Sequence, residues 1–506
     1  MKSKLNLTFA KIAAVETMID DNRSLYKALV TDAGDLLYVR PTDDIAARGL
    51  SQLAKVVKEH YPNCAPRREI GAMEYNEHLQ SKERGKHKTA IGRIGKKQLG
   101  IADQILLELI TRAASMKASD FFLDIWTEKQ AFLRFKIYGF THEIDTFDVD
   151  TARRLAVAMW RLSGTTEWNP AEACHCTFTA EVTLEGAAQP SEYRLRAASM
   201  IEAGRPGYLI ACRLRDPGSV MPLDQAGYTA QQMQDIWMLN QAPGGLSVFS
   251  GPTDSGKSTS LTSMVAAMPT NMRKLEIADP VEVYLDHCTH VQLKKEKNSD
   301  NFDQIMATTV LVNPDFLLLQ EIRDKRTAAA AISMAQQGKQ VHSTLHSTTC
   351  AGVPSRLHDL GISLNLLGFK DFFCGMVSQN LVPLLCRDCA LTQHRDPAEH
   401  RRHQQLFESS KLRYINPQGC AHCTLGVKGQ TLVAEVYPLL RAGDRAYSLI
   451  RQGAFAELAE YMTLEVGVDS KHAMAADKIV EGLIDPIITA RRIGYFDPEK
   501  TWNRSA

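Results

Sequence analysis

Eight residues constrain this chain more than any others. Gly251–Ser258 reads Gly-Pro-Thr-Asp-Ser-Gly-Lys-Ser and satisfies the pattern G-x-x-x-x-G-K-[ST] at every fixed position. The composition of the chain gives about 0.01 expected chance occurrences of that pattern. Upstream, Leu246, Val248 and Phe249 make an apolar run that predicts a strand. Downstream, Leu261, Met264, Val265 and Met268 recur on one face of a helix expected over Thr259–Met268. In a strand, glycine turn and helix of this kind, the N–H groups of the turn and of the helix N-terminus converge and make an anion hole suited to phosphates. The expected cradle runs through Gly251, Pro252, Thr253, Asp254, Ser255, Gly256, Lys257, Ser258 and Thr259. Lys257 is placed to reach the β- and γ-phosphates of ATP, and Ser258 to ligate Mg²⁺.

The rest of the composition sets limits. A chain of 506 residues is long enough for about two to four cores. With 44% hydrophobic and 23% charged residues it reads as an ordinary globular protein. The 59 basic and 58 acidic residues nearly cancel, so no global field argues for nucleic acid. No apolar run approaches the roughly 20 residues that span a bilayer. The first ten residues start like a signal peptide, but Asn6, Lys11, Asp20, Asp21 and Arg23 interrupt it. The expectation is mature sequence and a cytoplasmic protein.

Residues 1–80 mix short apolar runs with acidic turns and read as a small N-terminal α/β domain, with a helix over Ala46–Tyr61. The basic stretch Ser81–Lys88 reads as a solvated linker over residues 81–96. Residues 97–218 read as an α+β domain. It has a helix over Leu99–Met116, strands over Phe121–Trp126, Ala131–Tyr138, Cys176–Thr183, Tyr193–Met200 and Tyr208–Leu214, and a helix over Thr151–Leu162. Pro217–Pro222 breaks the chain. Residues 223–506 then alternate strand and helix up to about His346, which predicts an α/β domain with a largely parallel sheet. The C-terminal part, 440–496, reads as helical.

Hydrolysis of a bound triphosphate needs carboxylates, one to support Mg²⁺ and one to orient water. The run Phe316–Leu319 predicts a buried strand ending at Gln320-Glu321-Ile322-Arg323-Asp324. Glu321 is therefore the candidate for the metal-supporting (Walker B) acid. Asp324, just before the helical run Thr327–Gln336, reads more simply as a helix cap. A second cluster, Asp279-Pro280-Val281-Glu282, follows the short strand Leu275–Ala278. Here Glu282 is the candidate for activating water, with Asp279 in support, and Pro280 turns the chain. A third strand ends at Ser343-Thr344-Leu345-His346, where His346 could sense the γ-phosphate.

Four of the 11 cysteines form two pairs, Cys386-x-x-Cys389 and Cys420-x-x-Cys423. Random placement would give about 0.2 such pairs. Redox chemistry is one use of such pairs, but two of them in a cytosolic chain favour a structural Zn²⁺ closed by four thiolates. The segment between them is polar and histidine-rich (His394, His400, His403) and shows no clear core of its own, so the metal is expected to supply much of its folding energy. Cys64, Cys174, Cys176, Cys212, Cys288, Cys350 and Cys374 read as mostly buried small hydrophobes. Cys174-His175-Cys176 could be taken for a metal fragment, but the alternation of Cys174, Cys176 and Phe178 reads more simply as one face of a strand.

Taken together, the phosphate loop, the Asp279–Glu282 box, the Glu321–Asp324 box and the Ser343–His346 box occur in an order that resembles the secretion ATPases of type II secretion and type IV pilus assembly. Ala118-Ser119-Asp120, Arg134–Gly139, Gly419–Cys423 and Lys428-Gly429-Gln430 extend the likeness over roughly Lys97–Arg492. The resemblance implies a RecA-like motor domain preceded by a PAS-like sheet domain. It implies a homo-hexameric ring hydrolysing Mg²⁺-ATP, in which Glu282 is the catalytic glutamate, Glu321 the Walker B acid and His346 the His-box histidine. It further implies that Arg196 and Arg213 reach a neighbouring subunit's nucleotide, whereas Arg194 and Arg215 read as polar strand faces. Within the family a four-cysteine module (383–432) marks assembly and secretion motors rather than retraction motors.

On that reading the protein is peripheral to the inner membrane. Residues 1–80 dock to a membrane-anchored protein, and the stroke drives a polytopic platform protein that adds pilins or pseudopilins. Ala278, Leu311, Asn313, Gln320, Lys339 and Phe121-Phe122 depart from the family pattern and suggest a divergent, type IVb or plasmid-encoded branch. A retraction or DNA-uptake motor is the alternative within the family. A nucleic-acid translocase with a zinc ribbon is the alternative outside it. The near-zero net charge disfavours the translocase, and the two acids disfavour a non-catalytic scaffold.

Overall fold

The computed structural model describes residues 28–30, 36–38, 44–60, 68–69, 92–94, 100–126, 130–164, 168–186, 189–201, 207–215, 220–279, 281–293, 295–296, 299–500 and 502. The readings placed on the Ser81–Lys88 linker, on Cys64, on Pro280 and on residues 217–219 of the Pro217–Pro222 break lie outside these residues. Two compact units divide the chain. The first comprises Met1–Leu106, Arg153–Ala180 and Arg196–Ile201, and the second Leu107–Ala152, Glu181–Leu195 and Glu202–Ala506.

Up to residue 215 the elements are β1 (Ala28–Val30), β2 (Leu36–Tyr38), α1 (Asp44–His60), β3 (Arg68–Glu69), β4 (Gly92–Ile94), α2 (Ile101–Ser115), β5 (Ala118–Ile125), β6 (Gln130–Ile137), β7 (Phe140–Asp148), α3 (Val149–Ser163), β8 (Cys174–Val182), β9 (Ser191–Ile201) and β10 (Tyr208–Arg215). In the first unit β2 pairs antiparallel with β1 and parallel with β3. Leu50, Leu53 and Val57, spaced along one face of α1, close over Ala28, Val30 and Leu36. Strand β4 runs parallel to β8. Trp160 of α3 is fully buried, and its ring centre lies 6.5 Å from that of Trp168. Cys176 and Phe178 point into the core along β8, as the alternation predicted.

In the second unit β10, β5, β6 and β7 pair antiparallel in that order. Strand β7 was not expected. Its sequence, Phe-Thr-His-Glu-Ile-Asp-Thr-Phe-Asp, has no fully buried face: its side chains are all exposed or half-buried. An outer strand of this kind carries no apolar periodicity to read.

Beyond residue 220 the chain continues with α4 (Ala230–Asn240), β11 (Gly245–Ser250), α5 (Lys257–Ala266), β12 (Lys274–Ala278), β13 (Cys288–Gln292), β14 (Lys295–Glu296), β15 (Ser299–Asp300), α6 (Phe302–Val312), β16 (Phe316–Glu321), α7 (Lys325–Gln336), β17 (Gln340–Leu345), α8 (Gly352–Asp359), α9 (Leu364–Leu367), β18 (Phe373–Leu385), α10 (Pro397–Phe407), β19 (Val427–Tyr437), α11 (Leu439–Ala442), α12 (Asp444–Gln452), α13 (Phe455–Leu464), α14 (Lys471–Val480) and α15 (Pro486–Ile493). The main sheet here has the order β13-β12-β16-β17-β11-β18-β19. The pairs from β13 to β18 are parallel, and β18–β19 is antiparallel.

Strand β11 is central and buried along its whole length. Leu246 and Val248 join the core on one side of the sheet, and Phe249 joins Leu261, Met264 and Val265 of α5 on the other. Two covered faces explain why the strands read as continuous apolar runs rather than as alternations. Asp324 caps α7 as expected: its Oδ1 accepts the Thr327 N–H at 2.8 Å.

The segment between the cysteine pairs, read as lacking a clear core of its own, packs on residues far downstream. Phe407 at the end of α10, Leu412 and Tyr414 share a core with Met474, Ala475 and Ile479 of α14 and with Phe496. The Phe407 and Phe496 rings meet edge to face at 4.9 Å. This core is borrowed from residues some 70 positions downstream, so the insert alone does not display it.

Candidate functional site

The parallel sheet brings the sequence boxes together by a simple rule. Strands β11, β12, β16 and β17 run the same way, so everything that follows their carboxyl ends lies along one edge. The loop 251–256 follows β11, Asp279 follows β12, Glu321 ends β16 and His346 follows β17.

The loop depends on two glycines. Gly251 has φ +145°, and a Cβ there would stand 2.3 Å from the Gln379 carbonyl oxygen and 2.7 Å from Ser255 Oγ. Gly256, at φ +85°, is the N-cap of α5. Lys257 opens the helix and folds back over the loop, where its Nζ donates to the carbonyls of Gly251 and Pro252, both at 2.8 Å. Burial pushes the Lys257 pKa down, and the charges of Glu321 and Asp254 oppose that without cancelling it. Ser255 Oγ is buried and has no hydrogen-bond partner within the protein. A hydroxyl so placed suits an anion held by the loop. The Ser258 side chain is half-buried, and Pro252, Thr253 and Thr259 are exposed on the loop's outer side.

A buried polar network supports the loop, and sequence reading did not find it. Gln379 of β18 donates through Nε2 to the Ser255 carbonyl at 2.9 Å and to Ser260 Oγ at 3.2 Å. Its Oε1 accepts from Tyr228 at 2.6 Å, and the same hydroxyl reaches Ser260 Oγ at 3.0 Å. Neither Tyr228 nor Gln379 belongs to a motif. The one available signal was a polar run, Ser378-Gln379-Asn380, inside a mostly apolar strand.

Glu321 and His346 meet, with Oε1 and Nε2 3.0 Å apart. Gln320 has a local role here: its Oε1 accepts the Asp279 N–H at 2.8 Å and ties the ends of β16 and β12 together. Glu282 stands 3.5 Å from Arg215 Nη2, and Arg194 Nη1 donates to the carbonyl of Val281. These two arginines, read from sequence as strand surface, are thus engaged with the acidic box. Arg213 donates through Nε to Asp120 Oδ1 at 2.8 Å, and its Nη2 lies 3.4 Å from Asp254 of the loop. Lys136 Nζ also reaches Asp254, at 2.7 Å. Arg196 is exposed on β9 in the first unit.

With this geometry in place, comparison with known sequences is decisive on family. Residues 96–482 match the family described as Type II/IV secretion system protein. The chain belongs to that family. Among its relatives, the type IV pilus assembly ATPase PilB of Pseudomonas aeruginosa is 30% identical over 282 residues, covering 55% of this chain and 48% of that one. The type II secretion system ATPase E of Vibrio cholerae is 30% identical over 284 residues, covering 55% and 54%. The chain spans about half the length of the curated relatives it matches. The solved structure of the Legionella pneumophila ATPase DotB aligns with a TM-score of 0.55 at 16% identity, over 79% of this chain and 98% of that one. The mixed α/β fold is therefore shared with secretion ATPases. Among the described residues, no helix is long and apolar enough to cross a membrane.

Away from the loop, the four cysteines converge. Sγ–Sγ separations are 3.8 Å for Cys386–Cys420 and 3.7 Å for both Cys389–Cys423 and Cys420–Cys423. All four sulfurs lie within 4.8 Å of one another. A disulfide needs about 2.05 Å. Zn–S bonds of about 2.3 Å place sulfurs at the corners of a tetrahedron with edges of about 3.8 Å. The sulfur positions fit that ion.

Proposed function

We propose that this chain binds Mg²⁺-ATP on the 251–258 loop and hydrolyses it to drive assembly of pilins or pseudopilins, as the motor of a type IV pilus or type II secretion system. One observation carries the reading: the loop, Glu321 with His346, and the acidic box with Glu282 follow the carboxyl ends of neighbouring parallel strands, so a triphosphate on the loop faces all of them. Loop N–H groups and the α5 N-terminus hold its phosphates. Lys257 exchanges its two carbonyl partners for the β- and γ-phosphates. Mg²⁺, when bound through Ser258 with Glu321 in support, neutralises charge on those phosphates. Glu282 orients and deprotonates the attacking water, Asp279 supports it, and His346 reads the γ-phosphate through Glu321. Arg213 and Arg196 stabilise charge that develops on a neighbouring subunit's phosphoryl group.

The same reading takes residues 1–80 as a docking domain, 81–96 as a linker, 97–218 as a PAS-like domain and 223–506 as a RecA-like motor, with a zinc module at 383–432 and a helical part at 440–496. The working form is a homo-hexamer, cytoplasmic and peripheral to the inner membrane, engaged with a membrane-anchored docking protein and a polytopic platform protein and not with nucleic acid. Cys386, Cys389, Cys420 and Cys423 would hold Zn²⁺, whose four filled positions leave it a structural role.

The test is ATP turnover by the purified chain. Lys257→Ala is expected to lower it by about 100-fold or more with an unchanged melting temperature. Turnover by that variant equal to that of the parent protein would refute the assignment.

A further inference from the structure

Asp254 is an anion built into a loop whose purpose is to hold an anion. It sits at φ +62°, in the left-handed region that few residues other than glycine adopt. Its carboxylate takes Lys136 Nζ at 2.7 Å and Arg213 Nη2 at 3.4 Å. Arg213 is fixed from its other edge by Asp120, which Ser119 Oγ holds in turn at 2.7 Å. The outer edge of the guanidinium is therefore aimed at the loop. Burial of Asp254 works against its ionisation, but the Lys136 hydrogen bond and the charges of Arg213, Lys136 and Arg215 prevail and hold its pKa below the ordinary carboxylate range. The side chains of Asp254, Lys136 and Arg213 are 26%, 27% and 33% exposed. These pairs are thus open to exchange with another anion, unlike a sealed internal ion pair. The same carboxylate acts electrostatically on Lys257.

We propose that Asp254 is a positioning residue that holds Lys136 and Arg213 against the loop of their own chain until the like charge of a bound triphosphate drives its carboxylate away from them. The proposal rests on the reading that ATP occupies this loop. Two consequences follow. Asp254 opposes triphosphate binding by like-charge repulsion, and binding frees two cations that the carboxylate had neutralised. One of them is the arginine that the functional reading assigns to a neighbouring nucleotide, so occupancy of one loop would release the group needed at the next.

The experiment uses the full chain and measures binding of a fluorescent non-hydrolysable ATP analogue together with steady-state ATP turnover. Asp254→Asn keeps the size of the side chain and tolerates the left-handed backbone. It is expected to tighten analogue binding about 10-fold, with the change larger in KM than in kcat. Adding Lys136→Met should expose non-additivity of at least about threefold in affinity, because the two side chains act as a pair. A role confined to loop structure would lower the melting temperature of the Asn variant without tightening binding. Unchanged or weaker analogue binding by the Asn variant would overturn the proposal. Should that variant fail to fold, Asp254→Gly removes the same charge and suits the same φ. Parent protein that binds no analogue would defeat the ATP reading itself, whereas parent binding with an unaltered Asn variant defeats only the inference.

Discussion

The phosphate loop and the four-cysteine cluster both converge on a point, and they are held in opposite ways. The loop is eight contiguous residues whose shape depends on neutral groups far away in sequence. Gln379 reaches it from 124 positions downstream, at the Ser255 carbonyl. The cysteine cluster draws its thiols from two pairs 34 positions apart, Cys386 to Cys420. There the nearby polar contacts stay among residues that flank the cysteines: the Cys420 N–H donates to Cys423 Sγ at 3.2 Å, and Lys428 pairs with Asp388, 40 positions earlier, at 2.8 Å. An open site must admit and release its ligand, so its scaffold has to stay rigid without the ligand's help. A closed site can let the ion do part of the holding. The comparison teaches that a motif names the groups that touch a ligand, and that the groups that hold the motif must be sought elsewhere.

The sharpest way to break the comparison is to remove one thiol from the cysteine cluster. Cys386→Ser leaves three thiolates, and the expected cost is on the order of 3 kcal/mol or more, read as a lowered denaturation midpoint. A chelator should reproduce the loss in the parent protein and have no further effect on the variant. Phe407 and Tyr414 share their core with α14 and Phe496, so the module should loosen rather than unfold completely. Far-ultraviolet dichroism should keep most of its helical signal. A midpoint unmoved by both treatments would mean that no ion holds these thiolates.

A smaller effect is expected beneath the loop. Gln379→Leu preserves bulk but removes the donor to the Ser255 carbonyl and one of the two partners of the buried Tyr228 hydroxyl, which should cost about 1–3 kcal/mol. The comparison predicts a second readout: nucleotide affinity should fall with stability, because the lost contacts set the loop's shape. Cys386→Ser should leave affinity nearly untouched. If both variants lower affinity equally, the two regions are not independently held.

Much of this arrangement was legible in the sequence, and what stayed hidden did so for physical reasons. The octapeptide, the carboxylates at strand ends and the paired cysteines are short segments whose chemistry depends on local spacing. Strand order is harder to read, yet the rule that parallel strands present their carboxyl ends together was enough to associate Glu321, His346 and Asp279 with the loop. Arg215 was read as strand surface because β10 alternates cleanly. Its contact with Glu282 depends on how the end of β10 meets a loop 67 residues later in the chain, which no local pattern encodes. Strand β7 escaped because an outer strand need not bury a face. The core of α10 escaped because its partners come from the C-terminal helices.

The smallest predicted effect concerns the support of Glu282 itself. The loop that bears it ends near His290, whose Nδ1 lies 2.5 Å from Glu276 Oε2 on the neighbouring strand β12. His290 Nε2 lies 3.3 Å from the Leu285 carbonyl oxygen, to which the protonated ring can donate. Burial would lower the His290 pKa, but hydrogen bonds to Cys288 and Glu276, and their charges, raise it to about 10. A folded-state value above the ordinary 6.5 means that folding favours the proton. The stability it adds is fully present below pH 6.5, declines as pH rises above that value, and is gone once pH has passed about 10. Denaturation midpoints measured across that window should fall for the parent protein and flatten for His290→Gln. Because the ion pair lies on the strand beside the acidic box, turnover should decline over the same range in the parent and less steeply in the variant. An identical pH slope in both proteins would show that the Glu282 loop, unlike the phosphate loop, is held by something other than this histidine.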